Sequence, residues 1–349
     1  MNFKSILNPI KRIGILILLL LYILPSKAQK KSTFRVMFYN VENLFDTIDS
    51  PNTIDEEFLP TAEKQWNSTR YNEKLDHLAQ VISSVSPKDL PEIIGMAEVE
   101  NELVLKDLAN TEALKKGKYG IVHYDSPDKR GIDNALLYRQ KEFKPIASEK
   151  IEVKFTDSDY PTRDILYVKG VNRKKDTLHI FVNHFPSRRG GKEASEPKRM
   201  QVAKILRSHI ENILKQNPHA NVIVMGDFND NPSDNSMLYV ADGEDQQLNQ
   251  QSPMSNVTAS LHTDTSGTYF YRGHWDMLDQ FIISSAVLKE PKGVEFVNVA
   301  IFKQPWMLYE NKRNNTFAPN RSYGGPNYYG GYSDHLPVVL TMKIYRPKK

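Results

Sequence analysis

Five short clusters of carboxylate, amide and imidazole side chains lie directly against apolar runs of strand character. Val36-Met37-Phe38-Tyr39 runs into Asn40-Val41-Glu42-Asn43, and Ile93-Ile94-Gly95-Met96-Ala97 runs into Glu98-Val99-Glu100-Asn101. Ile180-Phe181-Val182 runs into Asn183-His184-Phe185-Pro186-Ser187-Arg188, and Val222-Ile223-Val224-Met225 runs into Gly226-Asp227-Phe228-Asn229-Asp230. Near the C-terminus Ser333-Asp334-His335 precedes a further apolar run. Each cluster alone is also what a turn or a helix cap looks like. Together they supply oxygen donors and histidines with few hydroxyl nucleophiles, which is the donor set of a hard-metal phosphoryl site. Mg²⁺ takes oxygen ligands from one or two carboxylates plus substrate phosphate, and Mn²⁺ or Ca²⁺ accept the same oxygens. Glu98 and Asp334 suit that role. Ester hydrolysis further needs a positioned water, a base for its proton, and donors for the developing charge.

Such residues work only if their strands end on one rim, as strand ends do in α/β proteins. Phe34–Tyr39, Glu92–Ala97, Ala135–Tyr138, His179–Val182, Val222–Met225, Phe281–Ile283 and Pro337–Met342 read as strands. Leu75, Leu78, Ala79, Ile82 and Val85 mark one face of a helix over Tyr71–Val85. Pro197 reads as the start of a long helix whose apolar stripe runs from Val202 to Leu214. Strands punctuated by helices imply an α/β protein with covered sheets. No linker or repeat divides it, so one catalytic domain is expected over residues 31–345.

The 349 residues contain no cysteine, which removes disulfides, thiolate metal sites and cysteine nucleophiles. The net charge of +4 resides in residues 1–28, where Lys4, Lys11, Arg12 and Lys27 stand without an acid. The remainder balances its 42 acidic residues with as many basic ones, which disfavours a globally basic, nucleic-acid-coating protein. The leader's basic start, its apolar run Ile13–Leu24 and the small residues before Gln29 form the pattern of a signal peptide over residues 1–28. The run is shorter than the ~20 residues of a membrane span. Export to the periplasm or the extracellular space is therefore expected, with no stable membrane span after cleavage.

Asn40-Val41-Glu42-Asn43, Glu98, Asn183-His184, Gly226-Asp227-Phe228-Asn229, Asp279-Gln280-Phe281-Ile282-Ile283-Ser284 and Ser333-Asp334-His335 resemble, in order and spacing, the endonuclease/exonuclease/phosphatase superfamily. Asn43-Leu44-Phe45-Asp46, Arg130-Gly131-Ile132-Asp133, Pro186-Ser187-Arg188 and Gly330-Gly331-Tyr332 look most like its secreted bacterial nuclease-like members. The resemblance implies a four-layer α/β sandwich, two face-to-face mixed β-sheets flanked by helices, with the site at one rim. It implies Glu98 as principal Mg²⁺ ligand, Asp334 as second acidic metal residue, and Asn40 orienting metal or phosphate. Asp227 would align or deprotonate water, and Asn229 would hold the phosphate. His335 would contact phosphate, oriented by Asp279. His184 would face the phosphate or leaving group, with Asp133 as the acid that pairs with it.

Arg163 and Arg188 are further candidates as bidentate phosphate clamps, the bland reading being solvated charge pairs. Tyr332 and its neighbouring tyrosines, spaced by glycines, could stack on bases or sugars or simply pack their own loop. Asp227–Asn231 superficially resembles a calcium loop but lacks the following glycine and the distal glutamate. Asn67, Asn256 and Asn314 sit in Asn-x-Ser/Thr triplets, which occur by chance in a chain of this size. The two-metal calcineurin motifs and the zinc pattern HExxH are absent. A non-catalytic binding module would be expected to lack one acidic or histidine position, and all are filled. A phosphodiesterase acting on nucleic acid is the leading expectation. A phosphomonoesterase acting on a small phosphorylated substrate is the alternative, and the chain is expected to act as a monomer.

Overall fold

The computed structural model describes residues 31–156, 160–243, 253–289, 291–312 and 316–346. The proposed leader and the Asn314 triplet fall outside them. In chain order the first half contains β1 (Ser32–Leu44), α1 (Ser68–Ser84), β2 (Ile93–Val99), α2 (Glu102–Asn110), β3 (Tyr119–His123), β4 (Asp133–Arg139), β5 (Phe143–Ile151) and β6 (Ile165–Asn172). The second half contains β7 (Thr177–His184), α3 (Lys192–Gln216), β8 (Asn221–Asp227), α4 (Asn235–Asp242), β9 (Met254–Asn256), β10 (Asp279–Ser284), α5 (Ser285–Leu288), β11 (Val294–Ile301) and β12 (Val338–Ile344).

The strands form two six-stranded sheets, β11-β12-β1-β2-β4-β3 and β5-β6-β7-β8-β10-β9. Both are mixed: β1–β2 and β7–β8 run parallel and the other pairs antiparallel. Strands at the centre are apolar on both faces, as a sheet covered on both sides requires. Phe34, Val36 and Phe38 point into a core between the sheets, where they meet Ile180, Val182, Ile223, Met225 and Phe281. Met37, Tyr39, Ile94 and Met96 point the other way, onto Leu75, Leu78 and Ile82 of α1 and Leu105 and Leu108 of α2. Phe181, Val222 and Val224 likewise pack on Val202, Leu206 and Ile210 of α3 and Met237 of α4. The result is four layers, helix–sheet–sheet–helix. Gly95 lets Met225 of the facing sheet come close, since a Cβ there would stand 2.5 Å from Met225 Cε.

Helix α3 begins at Lys192, ahead of the proline at which the sequence pattern starts it. The wholly buried Arg199 closes the early turn by donating to Lys192 O and Ser195 Oγ, at 2.8 and 2.7 Å. That buried guanidinium lets helical backbone precede Pro197.

Candidate active site

Register places the polar residues. On the parallel pair β7–β8, His184 lies opposite Asp227. On the antiparallel pair β8–β10, Asp279 lies opposite the same Asp227. Gly226, just before it, admits no side chain, because a Cβ would meet Asn183 O at 2.5 Å. On the facing sheet Asn40 pairs with Ala97, and Glu98 follows at a β-bulge with φ +64°. Left-handed backbone at a glutamate is uncommon and costs free energy, so its neighbours must hold it. Asn43 N, itself in a left-handed turn, donates to Glu98 Oε2 at 3.0 Å, and Asn40 Nδ2 donates to Oε1 at 3.3 Å.

Asn40 joins the sheets. Its Nδ2 also donates to Asp227 Oδ2 at 3.0 Å, and its Oδ1 accepts from Glu42 N at 3.0 Å. Ser333 donates to Asn40 O at 2.8 Å and accepts from His335 N at 3.0 Å, which ties the Asp334–His335 segment to β1. His335 Nδ1 and Asp279 Oδ2 are 2.7 Å apart, and Asp279 is fully buried. His335 Nε2 points toward Asp227 Oδ2 at 3.8 Å, and His184 Nε2 stands 3.6 Å from the same oxygen. His184 Nε2 is also 3.8 Å from Glu98 Oε1. Glu98, His184, Asp227, Asn229, Asp334 and His335 thus line one open cleft of ≈370 Å³.

Burial pushes the Asp227 carboxyl up to about 7, against the attraction of His335, and Asn229 N fastens its Oδ1 at 2.9 Å. Burial opposes charge on His335, but the Asp279 and Asp227 carboxylates overcome it and hold the ring's pKa well above the ordinary histidine value. Burial, then the nearby Arg163, Arg130 and His335 charges, push His184 well below it. One imidazole is therefore a cation at neutral pH and the other is neutral.

Asp227, Asp279 and His335 each bring one potential ligand atom within 4.8 Å of the others. In the described structure Asp279 Oδ2 engages His335 Nδ1 at 2.7 Å, so the trio works as a hydrogen-bonding unit. Glu98 and Asp334 fit a divalent cation better. Burial, opposed by His335 and by Arg321 at 3.6 Å and reinforced by the Glu98 charge, leaves the Asp334 pKa raised, as expected where two carboxylates are crowded together. The donor set, all oxygen, matches Mg²⁺, Mn²⁺ or Ca²⁺.

The structure corrects three of the expectations. Asp133 does not pair with His184. Its Oδ2 lies 2.9 Å from His123 Nε2 and its Oδ1 accepts from Ser126 N, because the β3–β4 pairing puts His123 beside the start of β4. Arg163 is not a clamp at the reacting centre. It is 4% exposed, and it donates to Asp128 Oδ2 at 3.0 Å and Phe185 O at 2.6 Å. Tyr332 stands away from the cleft. Its ring stacks on His77 at 4.5 Å, packs against Trp306, and its hydroxyl donates to Gln80. Arg188 does reach the cleft, where it donates to Asn229 O at 2.8 Å and pairs with Asp276 at 3.1 Å.

Tyr269 and Tyr271 supply the aromatic wall instead. Tyr269 is bridged to His335, with ring centroids 4.8 Å apart. They stand on a hairpin, Tyr269–Tyr271 and His274–Asp276, whose turn residues Arg272 and Gly273 both have positive φ. The Arg-Gly dipeptide between short aromatic runs was the available signal. Buried Lys74 also escaped notice. It donates to Ser322 Oγ and Tyr332 O at 2.7 and 2.8 Å and lies 3.8 Å from Glu42, pinning the segment before Asp334 onto α1.

The sandwich and its rim of carboxylates and histidines define a metal-assisted phosphoester hydrolase. The chain belongs to the Endonuclease/Exonuclease/phosphatase family, whose model matches residues 35–344, and it is a hydrolase acting on phosphate esters. Enzymes of this family use divalent metals. No curated protein matches the chain. Among solved structures it is similar to a family member from Bacteroides thetaiotaomicron, with TM-score 0.54 and 14% identity over 90% of this chain and 99% of that one. It is also similar to D. rerio TDP2 complexed with single strand DNA product, with TM-score 0.55 and 15% identity over 89% and 99% of the two chains. A mannosyl-6-phosphatase of B. thetaiotaomicron has TM-score 0.54 and 14% identity over 88% and 99%. At these identities the likeness is one of fold. Among the described residues no helix is long and apolar enough to cross a membrane.

Proposed function

We propose that the chain is an exported, divalent-metal-dependent phosphodiesterase, a nuclease that cuts nucleic acid by metal-assisted attack of water. The observation that carries this reading is the openness of the cleft. It continues past Arg130, Ser187 and Arg189 into a neighbouring cavity of ≈540 Å³ that those same residues also line. A closed pocket would suit a small ester; a continuous trough suits a chain passing through. The aromatic wall of Tyr269 and Tyr271 supports the same substrate, since bases and sugars stack on such rings. The two related folds bearing on substrate, TDP2 with a DNA product and a mannosyl-6-phosphatase, are matched about equally and do not decide between a polymer and a small ester.

In this reading Glu98 and Asp334 hold Mg²⁺, which supplies charge neutralisation at the phosphoryl oxygens. Asn40 keeps Glu98 and Asp227 in mutual register. Asp227, its carboxyl raised to about 7, aligns the attacking water and takes its proton. Protonated His335, fixed by Asp279, donates to a phosphoryl oxygen, and neutral His184 donates one N–H to the phosphate or leaving group. Asn229 and Arg188 shape the far wall. Residues 1–28 direct export, and residues 31–345 form one catalytic domain acting as a monomer. The balanced charge of residues 29–349 favours a second reading, a phosphomonoesterase for a small phosphorylated substrate.

The test is purified protein with Mg²⁺ against plasmid DNA, RNA, a generic phosphodiester and a generic phosphomonoester. Cleavage of the polymers and the diester is expected. Hydrolysis of the monoester alone would replace the nuclease reading with the phosphatase.

A further inference from the structure

We infer that the cavity beyond Arg130 and Arg189 is a subsite for a second, non-scissile phosphate of the same polymer; the inference rests on the phosphodiesterase reading. Lys129, Arg130, Arg163, Arg189 and Lys198 line it, and among the described residues that line it none is acidic. Asp128, behind them, bonds Arg130 and Arg163 and offsets only one of these charges. Arg163 forms part of the wall. It is almost wholly buried, its two terminal nitrogens are engaged, and its Nε is buried with no hydrogen-bond partner among the described residues.

The start of α3 supplies a second, independent attraction. Ala194 and Ser195, in its first turn, line the cavity; Ser195 N is engaged by Gly191 O at 3.2 Å, so the attraction is the partial positive charge of the helix N-terminus and the N–H groups ahead of Ser195. Lys198, one turn on, is steered by the rings of Tyr160 and Phe155, with Nζ 4.9 and 5.6 Å from their centroids. The cations and N–H groups of this surface bind phosphate and so position the chain without reading its sequence. Because Arg130, Ser187 and Arg189 belong to both cavities, the two phosphates occupy one continuous trough.

The experiment compares a dinucleoside monophosphate, which has one phosphate, with a short single-stranded oligonucleotide, using wild type and the Lys129→Ser/Lys198→Ser double variant. The subsite predicts that the ratio of kcat/KM on the oligonucleotide to that on the single-phosphate ester falls by about tenfold in the variant. It also predicts that the slope of log KM for the oligonucleotide against log salt becomes shallower by roughly 0.7, the share of one phosphate contact on a single strand. Lys129→Arg/Lys198→Arg, which keeps both charges, should restore most of the ratio. An unchanged ratio and slope, or equal loss on both substrates, would overturn the subsite while the nuclease reading stands. A wild type that hydrolyses the single-phosphate ester but not the oligonucleotide would overturn the polymer reading and the subsite with it.

Discussion

His184 and His335 face the same oxygen of Asp227 from two sides, with Nε2 at 3.6 and 3.8 Å, yet they carry opposite protonation states. The difference lies in the other ring nitrogen. His335 Nδ1 meets the buried Asp279 carboxylate at 2.7 Å, whereas His184 Nδ1 is buried without a hydrogen-bond partner among the described residues. A carboxylate partner stabilises the imidazolium, and burial without one favours the neutral ring. Asp227 is thereby given one cationic and one neutral neighbour.

Replacing Asp279 by Asn should uncouple that arrangement. His335 has a raised pKa, so its charge is present at low pH and is lost as pH rises through that value. In Asp279→Asn the alkaline limb of the kcat/KM profile should move down toward the ordinary histidine range, with kcat lower by about 10²-fold or more at neutral pH. A pH–rate profile of both proteins checks this. An alkaline limb that stays in place would remove His335 from the donor role.

Asp227 must be deprotonated to accept a proton, so activity should rise with pH along an acidic limb at or below about 7. Asp227→Asn can still accept from Asn229 N, gives up the bond from Asn40 Nδ2 to the second oxygen, and cannot take a proton. Its kcat should fall by about 10³-fold with little change in thermal stability. Near-normal turnover in the folded variant would refute the base.

The strands carrying these groups were legible because β1, β2, β7, β8, β10 and β12 are short apolar runs, buried on both faces, that break abruptly into polar residues. β5 was not. Its FKPIASEKI sequence exposes most of its side chains at a sheet edge, which leaves no apolar pattern to detect. The catalytic cluster was legible for the same reason as its strands, since each member sits where a buried run ends. The partners of Asp133, Arg163 and Tyr332 were not, because pairing across space depends on register. Only the β3–β4 ladder tells that His123, and not His184, meets Asp133.

Lys74 is 2% exposed and is the cation nearest the buried Glu42. Lys74→Met should leave Glu42 uncompensated and cost about 3–5 kcal/mol of unfolding free energy. Adding Glu42→Gln should recover a large part of that loss, because the buried charge goes with its partner. Urea titrations of the two variants measure it. A single substitution as mild as the double would mean that the pair is not coupled.

Glu92 tests stability against pH away from the site. Burial raises its carboxyl to about 7, although Arg35 N donates to it at 2.6 Å. A raised folded pKa means that its contribution is fully present below about 4.5 and is lost as pH rises through about 7. Glu92→Gln should therefore gain on wild type by roughly 1–3 kcal/mol between pH 5 and 8. Parallel denaturation curves at the two pH values would show the gain or its absence.

The central claim is that Glu98 and Asp334 together hold one divalent cation beside Asp227. Calorimetric titration of the metal-free protein with Mn²⁺ tests it most directly, on wild type, Glu98→Gln and Asp334→Asn. The account predicts one binding event in wild type, weakened by about 10-fold or more in Asp334→Asn and still more in Glu98→Gln, with chelator abolishing hydrolysis. Mn²⁺ binding of wild-type strength in both variants would contradict it.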